Sequence, residues 1–187
     1  MLSICVFCGS REGNRPEYSA AAEELGSWIS ENQCRLIYGG GSTGIMGRIA
    51  DAVLDGNGQI VGVITEQLAQ PELMHHGVSD MRIVADMHRR KAMMHELSDV
   101  YVTLPGALGT MEEFFEAAAW AQLTIHARPV AILSSGGFYA ALTELLDAMV
   151  QADFLSVSCR RLIHVFSETS ALCEWLAEQQ RVLNQSA

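Results

Sequence analysis

"VYVTLPGALGTMEEFFEAAAWAQL", residues 100–123, reads as three pieces. Residues 100–104 are apolar or β-branched, the composition of a strand covered on both faces. Within 105–109 stand a proline, two glycines and an alanine, so the chain there carries little side chain. From about 109 to 123 it turns to strong helix formers. A strand that enters a helix through a short bare loop is half of a βαβ unit, and the fold depends on whether that half repeats.

It does. Strands are expected at 3–8, 35–38, 59–64, 82–85, 100–104 and 129–133, and helices at about 16–31, 44–56, 87–97, 109–123, 138–151 and 169–181. This alternation predicts an α/β fold, a Rossmann-like doubly wound parallel sheet with helices on both faces. No linker or repeat interrupts it, so residues 1–187 are expected to form a single domain, its last few residues disordered.

An apolar fraction of 49% against 18% charged excludes a disordered chain. Twelve Lys and Arg against 22 Asp and Glu give a formal charge of −10. Such a surface repels polyanions, so no nucleic-acid partner is expected and a phosphate ligand needs a local device to hold it. No apolar run approaches a membrane span, and the opening "MLSICVFCGS" lacks the basic flank of a signal peptide. Five cysteines without a paired framework suit a reducing compartment, so a cytoplasmic location is expected. Cys5 and Cys8, three apart in an expected strand, point to opposite faces and read as buried thiols. His75, His76, His88, His95, His126 and His164 show no ligand spacing, so neither metal nor cofactor is expected.

Two bare loops lie between an expected strand and an expected helix: "YGGGSTGIMG" (38–47) and "LPGALGT" (104–110). Helix N-termini carry unpaired N–H groups and partial positive charge, so such loops hold phosphate without a basic residue. A single loop of this kind is equally well an ordinary turn with a threonine cap; two at neighbouring strand ends favour a ligand. The GxxxxGK[ST] pattern is absent, which excludes an NTPase phosphate loop. Gly39, Gly41 and Gly44 satisfy G-x-G-x-x-G with Glu66 beyond, which leaves a dinucleotide-dependent oxidoreductase as an alternative. That match follows the second strand, not the first, and leaves the other loop unused. A non-catalytic nucleotide or cofactor carrier is the remaining alternative.

Charge is placed where it costs. "DMHRRKAMMHELSD" (86–99) reads as a helix with Asp86 near its N-cap, and Arg89, Arg90 and Lys91, the only lysine, then crowd its first turn. Cations at that end cost about 0.3–1 kcal/mol each; an anionic ligand, or the carboxylates after the second loop, would offset this. Glu112, Glu113 and Glu116 fall near a favourable helix end, so dipole complementation competes with a catalytic role. "EAAAWAQLTI" (116–125) is apolar nearly all round, and a homo-oligomer contact is expected there.

From "VFCGSREGN" through "YGGGSTGIMG" and "DMHRRKAMM" to "LPGALGTMEEFFEAAAWAQLTIH", the chain resembles the LOG ("lonely guy") family, phosphoribohydrolases that cleave cytokinin riboside 5′-monophosphates. The family pattern P-G-G-x-G-T-x-x-E falls on Pro105 to Glu113, and M-H-x-R-K on Met87 to Lys91. The resemblance implies a homodimer and hydrolysis of the bond between a purine base and ribose 5-phosphate. It implies Glu113 and Arg90 as a catalytic pair without a metal. Around the purine nucleotide it places Gly9, Ser10, Gly39, Gly40, Gly41, Gly44, Met87, Lys91, Gly106, Ala107, Gly109 and Thr110. By analogy with O-glycoside hydrolysis, Glu113 would stabilise the cationic sugar and activate water, while Arg90 meets the departing base. Met46, Met87 and Met93 read as core, or as an adaptable slot for the base. Relatives labelled lysine decarboxylases need a Schiff-base lysine, and Lys91 stands in a motif with another use. Three positions depart from the family: Ala107 and Thr124 replace glycines, and Thr65 a proline. A methyl at 107 is expected to strain a left-handed backbone by roughly 1 kcal/mol.

Overall fold

The computed structural model describes residues 1–186; Ala187, the end of the tail expected to be disordered, lies outside the described residues. Strands β1 (Ser3–Phe7), β2 (Arg35–Tyr38), β3 (Gln59–Thr65), β4 (Asp80–Val84), β5 (Val100–Thr103), β6 (Val130–Leu133) and β7 (Ile163–Phe166) form one sheet. Its order is β4-β3-β2-β1-β5-β6-β7 and every pairing is parallel. The helices are α1 (Pro16–Glu31), α2 (Gly44–Asp55), α3 (Met87–Leu97), α4 (Leu108–Gln122), α5 (Ala140–Gln151), the short α6 (Val157–Arg160) and α7 (Thr169–Ser186).

Parallel strands need helical crossovers, and the crossovers cover both faces. One apolar layer joins Ile4, Val6, Leu36, Val100 and Val102 to Leu25, Ile49 and Leu172, from α1, α2 and α7. The other joins Cys5, Phe7, Ile37, Val63 and Tyr101 to Met94, Phe114 and Leu146, from α3, α4 and α5. Cys5 and Cys8 fall in opposite layers, as period-two alternation requires.

The strand order reverses between β1 and β5, so the chain turns away in opposite directions beyond their carboxyl ends. A crevice opens at such a switch point. Its floor is closed by two backbone hydrogen bonds: Leu104 N–H donates to Phe7 O at 2.9 Å, and Gly9 N–H to Pro105 O at 3.0 Å. The Tyr139 hydroxyl, just before α5, donates to Leu104 O at 2.8 Å and pins the loop from the far side.

Two expectations need correction, on β7 and on the start of α4, and a third stretch divides between core and surface. Strand β7 was not among those expected: it is an edge strand, and "LIHVF" mixes a histidine and a flanking arginine into its apolar pattern. Helix α4 starts at Leu108 with Ala107 as N-cap, so Glu112 and Glu113 lie beyond its first turn. Dipole complementation, which fades within that turn, does not account for them. The apolar stretch 116–125 is neither wholly core nor wholly exposed. Phe114, Ala117 and Ala121 are buried, while Phe115, Leu123 and Ile125 face outward.

Helix α4 ends in a Schellman arrangement: Ile125 N–H donates to Trp120 O at 2.9 Å and Thr124 N–H to Ala121 O at 3.1 Å. The residue between must be left-handed, and Thr124 has φ +56°. A β-branched residue there is strained where glycine is not. Thr124→Gly should therefore stabilise the fold by about 1 kcal/mol, raising Tm by about 2–4 °C. Calorimetry checks it; an unchanged or lower Tm means the turn tolerates threonine without strain.

Candidate active site

Asp86 caps α3 by accepting from the Arg89 N–H at 2.8 Å, which turns Arg90 and Lys91 inward. The Arg90 guanidinium donates through Nε to Val63 O at 2.9 Å and through Nη1 to Glu113 Oε1 at 2.8 Å. Nη1 also lies 3.4 Å from Met87 Sδ. Both charged side chains are nearly buried, at 10% and 12% exposure. Removing either would strand its partner's charge, at a cost of about 3–5 kcal/mol. Burial pushes the Glu113 carboxyl above its ordinary value, and Arg90 pulls against that rise. Burial also pushes the Cys5 and Cys8 thiols up, with Glu113 adding to it, so neither is a ready nucleophile.

The pair faces a cavity of about 170 Å³ lined by Val6, Cys8, Gly9, Ser10, Gly39, Met46, Ala107, Gly109 and Thr110. A second cavity of about 440 Å³ shares Gly9, Ser10 and Ala107 with it, and adds Gly106, Tyr18 and Phe138. The switch point thus gathers the ends of β1 and β5 around one ionic contact.

The two bare loops differ in how their helix ends are satisfied. At α2, Met46 N–H donates to Gly9 O at 3.2 Å and the Thr43 hydroxyl to Ser10 O at 3.1 Å. The backbone of 9–10 therefore packs on that end and engages one of its N–H groups. At α4 the N-cap alanine offers no side-chain acceptor, and Met111 is the first residue bonded back into the helix, to Ala107 O at 3.0 Å. The end of α4 therefore keeps more of its N–H groups open, at 108–110.

The glycines differ in the same way. A Cβ on Gly39 would stand 2.2 Å from Arg90 Nη2, and one on Gly41 2.8 Å from Met46 Cε. Gly40 is left-handed beneath Met81, and Gly44, at φ +63°, packs against the backbone of Arg11. Gly106 makes room for Thr110. These glycines stand against protein atoms, and Gly39 also lines the smaller cavity, whereas a Cβ on Gly109 would meet nothing within 4 Å. Ala107 has φ −107° and ψ −150°, an extended conformation open to any residue, so the strain expected there is absent.

Lys91 does not line either cavity. Its Nζ donates to Glu112 Oε1 and, at 2.6 Å, to Glu116 Oε2. Glu116 Oε1 also lies 3.1 Å from His95 Nε2, and His95 Nδ1 lies 2.7 Å from the Tyr101 hydroxyl. Burial lowers the His95 pKa, so the ring is neutral, donating from Nε2 and accepting at Nδ1. The Tyr101 oxygen in turn accepts from Arg128 Nη1 at 3.1 Å. Burial alone would raise the Glu116 carboxyl, but the bonds from Lys91 and His95 bring it below its ordinary value. Sequence reasoning did not foresee His95 or Tyr101; only their adjacency on α3 and β5 places them here. Among the described residues no group of His, Cys, Asp and Glu could hold a metal ion.

The family described as "Possible lysine decarboxylase" matches residues 46–176. A probable cytokinin riboside 5′-monophosphate phosphoribohydrolase of Oryza sativa subsp. japonica is 43% identical over 173 residues, which cover 92% of this chain and 69% of the relative. A cytokinin riboside 5′-monophosphate phosphoribohydrolase of Arabidopsis thaliana is 44% identical over 160 residues, covering 86% and 74%. Among solved structures, the molybdenum cofactor binding protein of Rippkaea orientalis superposes with TM-score 0.71 at 19% identity, covering 95% of this chain and 96% of the other. The molybdenum cofactor carrier protein of Chlamydomonas reinhardtii gives 0.70 at 18% identity, covering 97% and 99%. At such identities the likeness is one of fold.

Gly39→Ala should destabilise by about 1–3 kcal/mol, because the methyl must displace the buried guanidinium. Gly109→Ala should cost nothing, or gain up to about 1 kcal/mol through the unfolded chain. Urea titration of both variants makes the comparison, and equal midpoints would contradict the packing role assigned to Gly39.

Proposed function

The chain belongs to the LOG family of cytokinin riboside 5′-monophosphate phosphoribohydrolases, and from that we propose how its residues perform the reaction. The protein hydrolyses the N-glycosidic bond of a purine riboside 5′-monophosphate, releasing free base and ribose 5-phosphate. The observation that carries the residue assignment is the buried Arg90–Glu113 contact, facing a cavity beside the first turn of α4.

Cleaving the C1′–N bond builds positive charge on the sugar and negative charge on the base. Glu113 meets the first: its carboxylate stabilises the oxocarbenium-like sugar and takes a proton from the attacking water. Arg90 meets the second, donating hydrogen bonds to the departing purine. Val63 O and Glu113 hold the guanidinium in place beforehand, so little reorganisation is needed as charge develops. The backbone amides at 108–110, with Gly109 open to close approach, bind the 5′-phosphate and orient the nucleotide. Gly9 and Ser10 line the opposite wall, and Met87 stands beside Arg90 at the base end.

The decarboxylase description does not fit these residues. A Schiff base needs an accessible, deprotonated amine, and the single lysine is buried between two carboxylates that raise its pKa. Burial lowers the Lys91 pKa, but the bonds to Glu112 and Glu116 outweigh it. The dinucleotide alternative also weakens. Gly39, Gly41 and Gly44 stand against protein atoms, and their loop follows β2, not the first strand as the dinucleotide fingerprint requires.

Two finer readings complete the proposal. Phe115, Leu123 and Ile125 form an outward apolar side of α4, which we assign to a homodimer contact. No helix among the described residues is long and apolar enough to cross a membrane, and free cysteines without a disulfide framework support a cytoplasmic location.

Glu113→Gln should lower kcat by about 10²–10⁴-fold with KM little changed, read as chromatographic release of base from AMP and from isopentenyladenosine monophosphate. Equal turnover in that variant removes Glu113 from the reaction. A general base acts ionised, and its pKa is raised in the fold. Protonation therefore switches the enzyme off at higher pH than for a free glutamate, and the acid limb of kcat/KM should lie above 4.5. Leu123→Glu should shift the protein from dimer to monomer in analytical ultracentrifugation; an unchanged sedimentation coefficient would place the contact elsewhere.

A further inference from the structure

A second cluster of ionisable groups stands beside the catalytic pair and is not explained by it. Lys91 follows Arg90 on α3, while Glu112 and Glu116 flank Glu113 on α4. None of the three lines the cavity at the pair. Lys91 instead bridges two carboxylates, and the farther one, Glu116, is also bonded to His95 at 3.1 Å. His95 is anchored to the sheet through Tyr101 and lies under Trp120, with ring centroids 4.5 Å apart. Helices α3 and α4 are thus joined at this level by charged groups tied to β5.

The adjacent contact needs that joint. Arg90 reaches across the same two helices to Glu113, and a shift of about 1 Å between them would break a 2.8 Å hydrogen bond. The charges matter as well. Three carboxylates within five residues of α4 repel one another, and the most buried takes up a proton first. The groups acting on Glu113 are Arg90 and Lys91 from α3, Glu112 from its own helix, the Cys5 thiol from β1 and the Cys8 thiol just after it. Burial keeps both thiols protonated, so Lys91 is the cation besides Arg90 that pulls against the rise that burial and Glu112 impose on Glu113.

We infer that Lys91 is a positioning residue: with Glu116 and His95 it braces α3 against α4, fixing the Arg90–Glu113 contact and screening Glu113 from its neighbouring carboxylates. The nucleotide's anionic group is not its partner. This inference rests on the hydrolytic reading of the site.

The test compares Lys91→Met and Lys91→Arg with wild type, using AMP and measuring base release across pH. For Lys91→Met, kcat at neutral pH should fall at least about tenfold while KM stays within about threefold, and the acid limb should move up. Lys91→Arg should return the limb to its wild-type position. A raised KM with an unmoved limb would make Lys91 a nucleotide contact and overturn the inference. Unchanged kcat, KM and limb would overturn it too, leaving the brace a structural ion cluster only. Should Lys91→Met fail to fold by circular dichroism, Glu116→Gln takes its place. It breaks the brace at its other end, where Lys91 and His95 are held, so kcat should fall at constant KM; a risen KM or an unchanged kcat refutes the brace. Wild type that frees no base from AMP or isopentenyladenosine monophosphate defeats the hydrolytic reading, and the inference with it. Wild type that frees base, with variants that fail the pattern, defeats the inference alone.

Discussion

The structure around the switch point is organised by one constraint, the withdrawal of the Arg90 and Glu113 charges from water. In a low-dielectric setting such a pair survives only if its remaining donors and acceptors are also satisfied. Arg90 therefore spends Nε on a strand carbonyl, Val63 O, and Gly39 must be glycine for the guanidinium to lie where it does. The adjacent lysine is oriented by the same helix start, with Asp86 closing the first turn so that both cations face inward. Sequence-level disorder in the charge pattern, cations at the wrong helix end, resolves for Arg90 and Lys91 into tertiary pairing, while Arg89 stays exposed.

Fold and topology were legible because burial on both faces leaves a plain trace. Strands β1, β2, β3, β5 and β6 are short apolar runs, and each lies within a residue or two of its expected span. Strand β7 left no such trace, since an edge strand buries little and its sequence can carry His164 and flanking arginines. The start of α4 misled in a different way. A threonine after bare residues looks like an N-cap, but the cap is Ala107, and Thr110 sits a turn inside with its side chain against Gly106. Propensity favours threonine caps; the space that Gly106 leaves decided otherwise.

The site was legible in pieces. Misplaced cations on 86–99 and the carboxylates of 112–116 each stood out, yet their pairing joins positions 23 residues apart and came into view through family resemblance and then geometry. His95 and Tyr101 were beyond reach, since nothing in local pattern says that a histidine on α3 and a tyrosine on β5 share a proton. The glycines taught a further lesson. Gly39 to Gly44 look like a ligand cradle in sequence, and in the fold they are shaped mainly by Arg90, Met46, Met81 and the 10–11 backbone.

An acidic chain that handles an anionic nucleotide has to separate its charges along the ligand. Arg90 and Lys91 are matched against Glu112, Glu113 and Glu116, so this cluster is one negative charge in excess, 2 − 3 = −1. Its cations are already engaged, and a phosphate placed there would meet repulsion. The first turn of α4 offers the reverse: amides without a side-chain cap, at the positive end of a fifteen-residue helix. The two regions share one helix, a single turn apart. In the proposed binding mode, a nucleotide laid along it meets positive potential at its phosphate and negative potential at its sugar. In the reaction the phosphate's charge stays constant while the sugar becomes cationic, so the negative end gains strength as the bond breaks. Catalysis requires attraction of that kind, greater in the transition state than in the ground state. On this argument the net acidity of the chain is compatible with its substrate, because the carboxylates face the one part of the nucleotide that turns positive.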